Sequence, residues 1–146
     1  MSSAKFFIDS GGFYALINAQ SPHHAAAVAY MDMARRAKWK AVTSDYILDE
    51  TATLFRTRKL FHLAPALFDL AEKSTALETV RVDGEMFARA KSFFLKYHDH
   101  EFSFTDCTSF VLMKERKLKE ALATDDHFRA VGFVPVLRAD GGKGRG

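Results

Sequence analysis

The sequence predicts an α/β domain: a central, mostly parallel sheet of four to five strands flanked by helices. Short apolar runs bounded by turn or cap residues alternate with longer stretches in which apolar residues recur three and four apart. The short runs are uniformly apolar rather than alternating, as in strands covered on both faces. A chain of 146 residues with 48% hydrophobic and 27% charged side chains suits one domain with a single core, and its 14 phenylalanines must mostly be buried.

The elements follow in order. Lys5–Asp9 forms the first strand through Phe6, Phe7 and Ile8, and Ser10-Gly11-Gly12 turns the chain into a helix bearing Phe13, Leu16 and Ile17. Ser21-Pro22 is an N-cap and N1 pair for a helix to about Lys38, with Ala25, Val28, Ala29 and Met33 expected inward. Ala41–Thr43 is a second strand, and Ser44 or Asp45 caps a helix whose apolar face includes Ile47, Leu48, Thr51, Leu54 and Phe55. A helix over His62–Ser74 and a strand over Glu78–Val82 follow. Asp83 caps a helix over Gly84–Tyr97, with Met86, Phe87, Ala90 and Phe94 expected inward. The polar loop His98–Glu101 leads to a helix from Phe104 to Arg116. Ala121–Thr124, a helical turn near His127–Val131 and a last strand at Val134–Leu137 complete one domain over residues 1–138. Residues 139–146, with four glycines and two cations, read as a flexible basic tail.

Four acids stand where these elements begin or end, or on a face where a charge is costly. Asp9 and Asp125 follow apolar strands, and active sites of open parallel sheets lie beyond those carboxyl ends. Glu50 lies three residues after Ile47 and four before Leu54, on one helical stripe. Asp106 is at the start of a helix, where Ser103-Phe104-Thr105-Asp106 resembles a capping box. Each acid has a bland alternative as a cap or an ion-pair partner, and Asp126 competes with Asp125 for either role. A buried group of like charges needs a positive occupant, and a divalent ion is the best one.

Charge points the same way. The net charge is +3; with four of the 18 acids committed to a site, the 21 basic residues leave the remaining surface at about +7. An acidic centre in a basic surface suits a polyanionic substrate. Arg56, Arg58 and Lys59 follow Glu50 and are candidates for phosphate contacts, with Lys114, Arg116 and Lys117 as the alternative path. The pair His98 and His100 lacks further ligands at a recognisable spacing, and His23 and His24 mark a helix start. The lone Cys107 excludes an internal disulfide and fits a reducing cytoplasm. No apolar run is long enough to span a membrane, and the N-terminus lacks a signal peptide.

The segments FFIDSGGFYALIN, SPHHAAA, DYILDETATLFR, FSFTDCTSFVLM and ALATDDHFRAVGFVPVL together resemble the PIN domains, and within them the VapC-type toxins of bacterial toxin–antitoxin pairs, over about residues 5–138. The resemblance implies a three-layer PIN-like domain and an endoribonuclease dependent on one or two Mg²⁺ or Mn²⁺ ions. It places the ligand acids on Asp9, Glu50, Asp106 and Asp125, with Thr105 as an auxiliary hydroxyl. The doubled Asp125-Asp126 departs from the family pattern and leaves the fourth ligand open between them. The resemblance also implies an RNA substrate, an antitoxin partner and a homodimer. Phe13, Tyr14 and Phe55 are candidates for the groove or dimer face. Three alternatives stand beside it: a PIN-like domain that binds RNA without cutting it, an RNA-processing nuclease with no antitoxin, and a receiver-type signalling domain with a phosphoacceptor aspartate.

Overall fold

A computed structural model describes residues 4–138; the expected tail at 139–146 lies outside the described residues. The strands are β1 (Lys5–Ile8), β2 (Lys40–Ser44), β3 (Leu77–Val80), β4 (Glu120–Leu122) and β5 (Val134–Pro135). The helices are α1 (Ser10–Ile17), α2 (His24–Arg36), α3 (Asp45–Thr57), α4 (Ala64–Lys73), α5 (Gly84–Lys96), α6 (Phe104–Glu115) and α7 (His127–Ala130). Single 3₁₀ turns lie at Phe61–Leu63 and Val136–Arg138.

The strands form one sheet in the order β3-β2-β1-β4-β5, and every pairing is parallel. The chain winds outward from β1 to β2 and β3, then returns to place β4 on the other side of β1. The switch point therefore falls between β1 and β4, where an open parallel sheet forms its crevice. This order also removes the receiver-type alternative, whose strands run 2-1-3-4-5. The last strand is shorter than expected: Pro135 has no N–H to extend the ladder, and Val136–Arg138 curls into a turn.

Helices cover both faces, and the core is rich in aromatic rings. Phe6, Phe7, Phe13, Phe55, Phe110 and Phe128 are all essentially inaccessible. Phe110 sits edge-on to Phe128 with centroids 5.2 Å apart. Each such ring contributes about 1.5–3 kcal/mol by burial. α6 is the central helix: every residue from Cys107 to Met113 is buried. A helix enclosed on all sides shows little amphipathic pattern. α1 packs onto β4 so closely that a Cβ on Gly12 would stand 2.0 Å from the Leu122 carbonyl oxygen. Only glycine lets the helix that follows Asp9 approach the strand that precedes Asp125.

Three helices end on a lysine with positive φ, Lys38 at 62°, Lys59 at 61° and Lys117 at 56°. In each case the next residue's N–H reaches back five residues: Trp39 to Ala34, Leu60 to Phe55 and Leu118 to Met113. This is the Schellman ending, here with lysine where glycine is usual. The apolar residue after each lysine then folds back onto the core.

Two expected helix faces are wrong. On α2 the buried residues are Ala27 and Ala34, with Tyr30 and Met31 partly covered, while Ala25, Val28, Ala29 and Met33 face solvent. The helix carries apolar residues on two sides. Packing chose the side where Tyr30 meets Phe6 and Trp39 at centroid distances of 5.0 and 6.3 Å. On α5, Met86 and Ala90 are buried as expected, but Phe87 and Phe94 are exposed and lean on Phe104.

Candidate active site

β1 delivers Asp9 to the switch point. Its strand is fixed on both sides: the Thr43 hydroxyl donates to the Ile8 carbonyl at 2.8 Å, and the Asp9 N–H donates to the Leu122 carbonyl at 3.1 Å. Asp9 occupies the N-cap position of α1, yet its side chain makes no capping bond to that helix. It is only 5% exposed. Burial, then the charges of Asp106 and Glu50, push its carboxyl well above the usual range; the Ser10 N–H opposes this and Asp125 adds to it. The Asp9 carboxyl takes the Ser10 N–H at the turn and otherwise stands as a buried acid acted on by three others.

α3 delivers Glu50. Ser44 caps the helix by accepting from the Ile47 N–H at 3.1 Å. Asp45 ties its start to the end of β3, accepting from the Val82 N–H at 3.0 Å. The fully buried stripe is Ile47, Thr51 and Phe55, and Glu50 sits half-buried beside it. Its carboxyl is raised by burial and by Asp106, Asp125 and Asp49, against a hydrogen bond from Ser10 that lowers it. It forms no salt bridge among the described residues.

α6 delivers Asp106 through a complete capping box. The Ser103 hydroxyl accepts from the Asp106 N–H at 2.9 Å, and the Asp106 carboxylate accepts from the Ser103 N–H at 3.0 Å. Asp106 is 7% exposed. Capping and facing the other acids prove compatible. β4 leads to Asp125, whose Oδ1 accepts from the His127 N–H at 2.8 Å while Oδ2 lies 3.3 Å from the His127 Nδ1. Asp126 is exposed and engaged elsewhere, 2.6 Å from Arg138 and 3.8 Å from Arg129.

His127 is the residue that sequence reasoning missed. Its Nδ1 lies 2.9 Å from Asp106 Oδ2, bridging two acids from different elements. The Phe102 ring holds the imidazole edge-on at 5.4 Å. Burial lowers its pKa, but Asp106, Asp125 and Glu101 outweigh that and raise it. The only signal in the sequence was its place two residues after Asp125, where an aspartate turn binds the N–H.

The remaining candidates lie further out. Thr105 is half-buried beside Asp106; its carbonyl accepts from the hydroxyls of Thr108 and Ser109. Cys107 is buried, and burial and Asp106 push its thiol up to about 11, so it stays protonated and is no nucleophile. Arg56 and Arg58 are exposed, lying over the rings of Phe61 and Tyr14 at 4.2 and 5.3 Å. Among the described residues neither they nor Lys59 pairs with an acid. Arg56 is six residues beyond Glu50, roughly 9 Å along the helix axis. On the alternative path, Arg116 is already bound by Glu78 at 3.0 and 2.9 Å. His98 and His100 are exposed, as a polar loop should be. Phe13 and Phe55 are 0% exposed and cannot form a docking face; Tyr14 is half-buried and stacks on Phe55. Among the described residues, no helix is long and apolar enough to cross a membrane.

The model of the PIN domain matches residues 6–134. The chain is 30% identical to the 23S rRNA-specific endonuclease VapC20 of Mycobacterium tuberculosis over 135 residues, 89% of this chain and 96% of that protein. It is 32% identical to a VapC ribonuclease of Archaeoglobus fulgidus over 114 residues, 77% of this chain and 72% of that one. Among solved structures it is similar to M. tuberculosis VapC20, described as a sarcin-ricin loop cleaving toxin. That match has a TM-score of 0.79 and 30% identity, covering 90% of this chain and 98% of that one. A chain of VapBC2 from Rickettsia felis, bound to promoter DNA, shares the fold at a TM-score of 0.66 and 9% identity, over 89% and 96% of the two chains.

Proposed function

The chain belongs to the PIN-domain family, among the VapC ribonucleases, and on that premise we propose that it is a metal-dependent endoribonuclease whose centre is Asp9, Glu50, Asp106 and Asp125. The observation that carries the proposal is the pressure of three acids on a fourth, buried one. Three carboxylates from α3, α6 and the end of β4 all act on the buried carboxyl of Asp9. Such crowding is unfavourable for the acids alone and favourable with a divalent cation among them.

The donor set fits Mg²⁺ or Mn²⁺, both hard cations that prefer carboxylate oxygens. When bound, the ion supplies a lowered pKa to a coordinated water and neutralises charge on the scissile phosphate. The chain's own residues do the holding. The β1–β4 pairing and the close approach of Gly12 fix Asp9 against Asp125. The capping box fixes Asp106, and the Ser10 side chain steadies Glu50. Asp125, rather than Asp126, is assigned as the fourth ligand, because Asp126 is spent on Arg138. Thr105 is assigned an auxiliary place beside Asp106. Arg56, Arg58 and Lys59 are assigned to RNA phosphates at the rim. Lys59 also has a structural duty, since its positive φ closes α3.

The substrate is RNA, and ribosomal RNA is the first to test because the VapC20 relative is named for cutting it. The partner is an antitoxin protein, with a second copy of the chain completing a homodimer. Exposed apolar side chains for such contacts are Phe61 and Phe68 near α4, and Phe87, Phe94 and Leu95 on α5. The setting is the cytoplasm, where RNA and antitoxin meet. The test is incubation of purified protein with total RNA, with and without Mn²⁺, and mapping of the new 5′ ends. Discrete Mn²⁺-dependent cuts are expected. Tight RNA binding with no cleavage would instead support the RNA-binding alternative.

A further inference from the structure

Resting on that reading, we propose that His127 is itself a ligand of the divalent ion, giving this otherwise all-oxygen centre one nitrogen donor. Its Nδ1 is 2.9 Å from Asp106 Oδ2 and 3.3 Å from Asp125 Oδ2. Two donors in neighbouring positions of an octahedral ion, each about 2.1 Å from it, stand about 3.0 Å apart. The imidazole nitrogen is therefore already spaced from both carboxylates as a third ligand would be. One oxygen from each acid and this nitrogen all lie within 4.8 Å of one another.

The surroundings hold the ring in place. The His127 N–H is tied to Asp125 Oδ1, which fixes the backbone and leaves Oδ2 directed toward the ring. Phe102 backs the imidazole at 5.4 Å, and His100 in turn stacks on Phe102 at 4.7 Å. Phe128, next in sequence, is fully buried and anchors α7. The ring thus sits on a rigid turn, with its Nδ1 already facing both carboxylates.

A nitrogen donor changes which ion the site prefers. Mg²⁺ gains little from imidazole, whereas transition ions gain affinity from it. His127 therefore biases the centre toward Mn²⁺ over Mg²⁺, although the four acids alone would accept either.

The test is pulsed electron paramagnetic resonance of the purified protein loaded with Mn²⁺ alone. The wild-type spectrum should show ¹⁴N modulation that changes to the ¹⁵N pattern when histidine is supplied as ¹⁵N-histidine. That comparison needs no mutation and is independent of folding defects. His127→Gln should remove the modulation and weaken Mn²⁺ binding at least about tenfold, with a smaller loss for Mg²⁺. His100→Gln should leave the modulation intact. Bound Mn²⁺ without histidine nitrogen modulation would overturn the proposal and leave the carboxylate centre standing. Failure to bind Mn²⁺ at all would overturn the centre as well.

Discussion

Asp9 and Asp106 should respond differently to removal of charge, although both are assigned to the same ion. Asp9→Asn removes a buried charge that faces Asp106, Glu50 and Asp125 and whose carboxyl is raised chiefly by burial. A like-charged pair about 5 Å apart at an effective dielectric near 20 costs on the order of 3 kcal/mol. Screening reduces this, and the amide accepts more weakly from the Ser10 N–H, a loss of about 1 kcal/mol. The net expectation for metal-free Asp9→Asn is a gain of about 1–2 kcal/mol, a rise in Tm of roughly 2–8 °C. Asp106→Asn also relieves repulsion, but it weakens a charge-assisted bond from the Ser103 N–H and loses the ion pair with His127. Weakening the N3 half of a capping box whose N-cap is Ser103, together with losing the His127 pair, offsets that relief, so the metal-free Asp106→Asn protein should be no more stable than wild type. The assay is thermal unfolding in EDTA, beside RNA cleavage in Mn²⁺; both variants should be inactive. A metal-free Asp9→Asn protein less stable than wild type would refute the argument that Asp9 is an uncompensated buried charge.

Other outcomes follow from the same geometry. Metal-free stability should fall as pH rises above the ordinary carboxyl range. The raised carboxyls of Asp9 and Glu50 hold protons that the unfolded chain has already lost, so stability drains away from the ordinary carboxyl range up to their folded pKa values. The raised His127 loses its favourable charge as pH passes through its own folded value. Saturating Mn²⁺ should flatten or reverse that trend in a melting series, and an unchanged slope would mean the ion binds elsewhere. Cys107→Ala should retain RNA cleavage, and the wild-type thiol should react slowly with iodoacetamide at neutral pH, because burial keeps it protonated. In a catalytically dead Asp9→Asn background, Arg56→Ala and Arg58→Ala should each flatten the log–log salt dependence of single-stranded RNA binding, by about 0.7 per lost phosphate contact. An unchanged slope in both would leave these guanidiniums with only their cation–π contacts to Phe61 and Tyr14.

The parts legible in the sequence were those with one physical reading. Phe6-Phe7-Ile8 followed by Asp9 admits little besides a buried strand ending in an acid, and the capping signals at Ser44, Asp83 and Ser103 all fall where helices begin. The inward face of α2 was not legible, because Ala25, Val28, Ala29 and Met33 form an apolar row as good as the buried one. Only Trp39 and Phe6, brought by the fold, decide between them. α5 misled for a related reason: Phe87 and Phe94 have the spacing of core residues but shelter Phe104 at the surface. The choice between Asp125 and Asp126 depends on Arg138, a residue 12 positions away from Asp126. The role of His127 depends on Asp106, 21 positions upstream, and no local pattern encodes that meeting.

The proposed metal centre draws four acids from four elements. The most direct measurement is Mn²⁺ affinity and stoichiometry by calorimetry for Asp9→Asn, Glu50→Gln, Asp106→Asn, Asp125→Asn and Asp126→Asn, with RNA cleavage measured on the same samples. The first four should each weaken Mn²⁺ binding and abolish cleavage, while Asp126→Asn should match wild type in both. Wild-type affinity and cleavage in Glu50→Gln, or their loss in Asp126→Asn with retention in Asp125→Asn, would contradict the proposed centre.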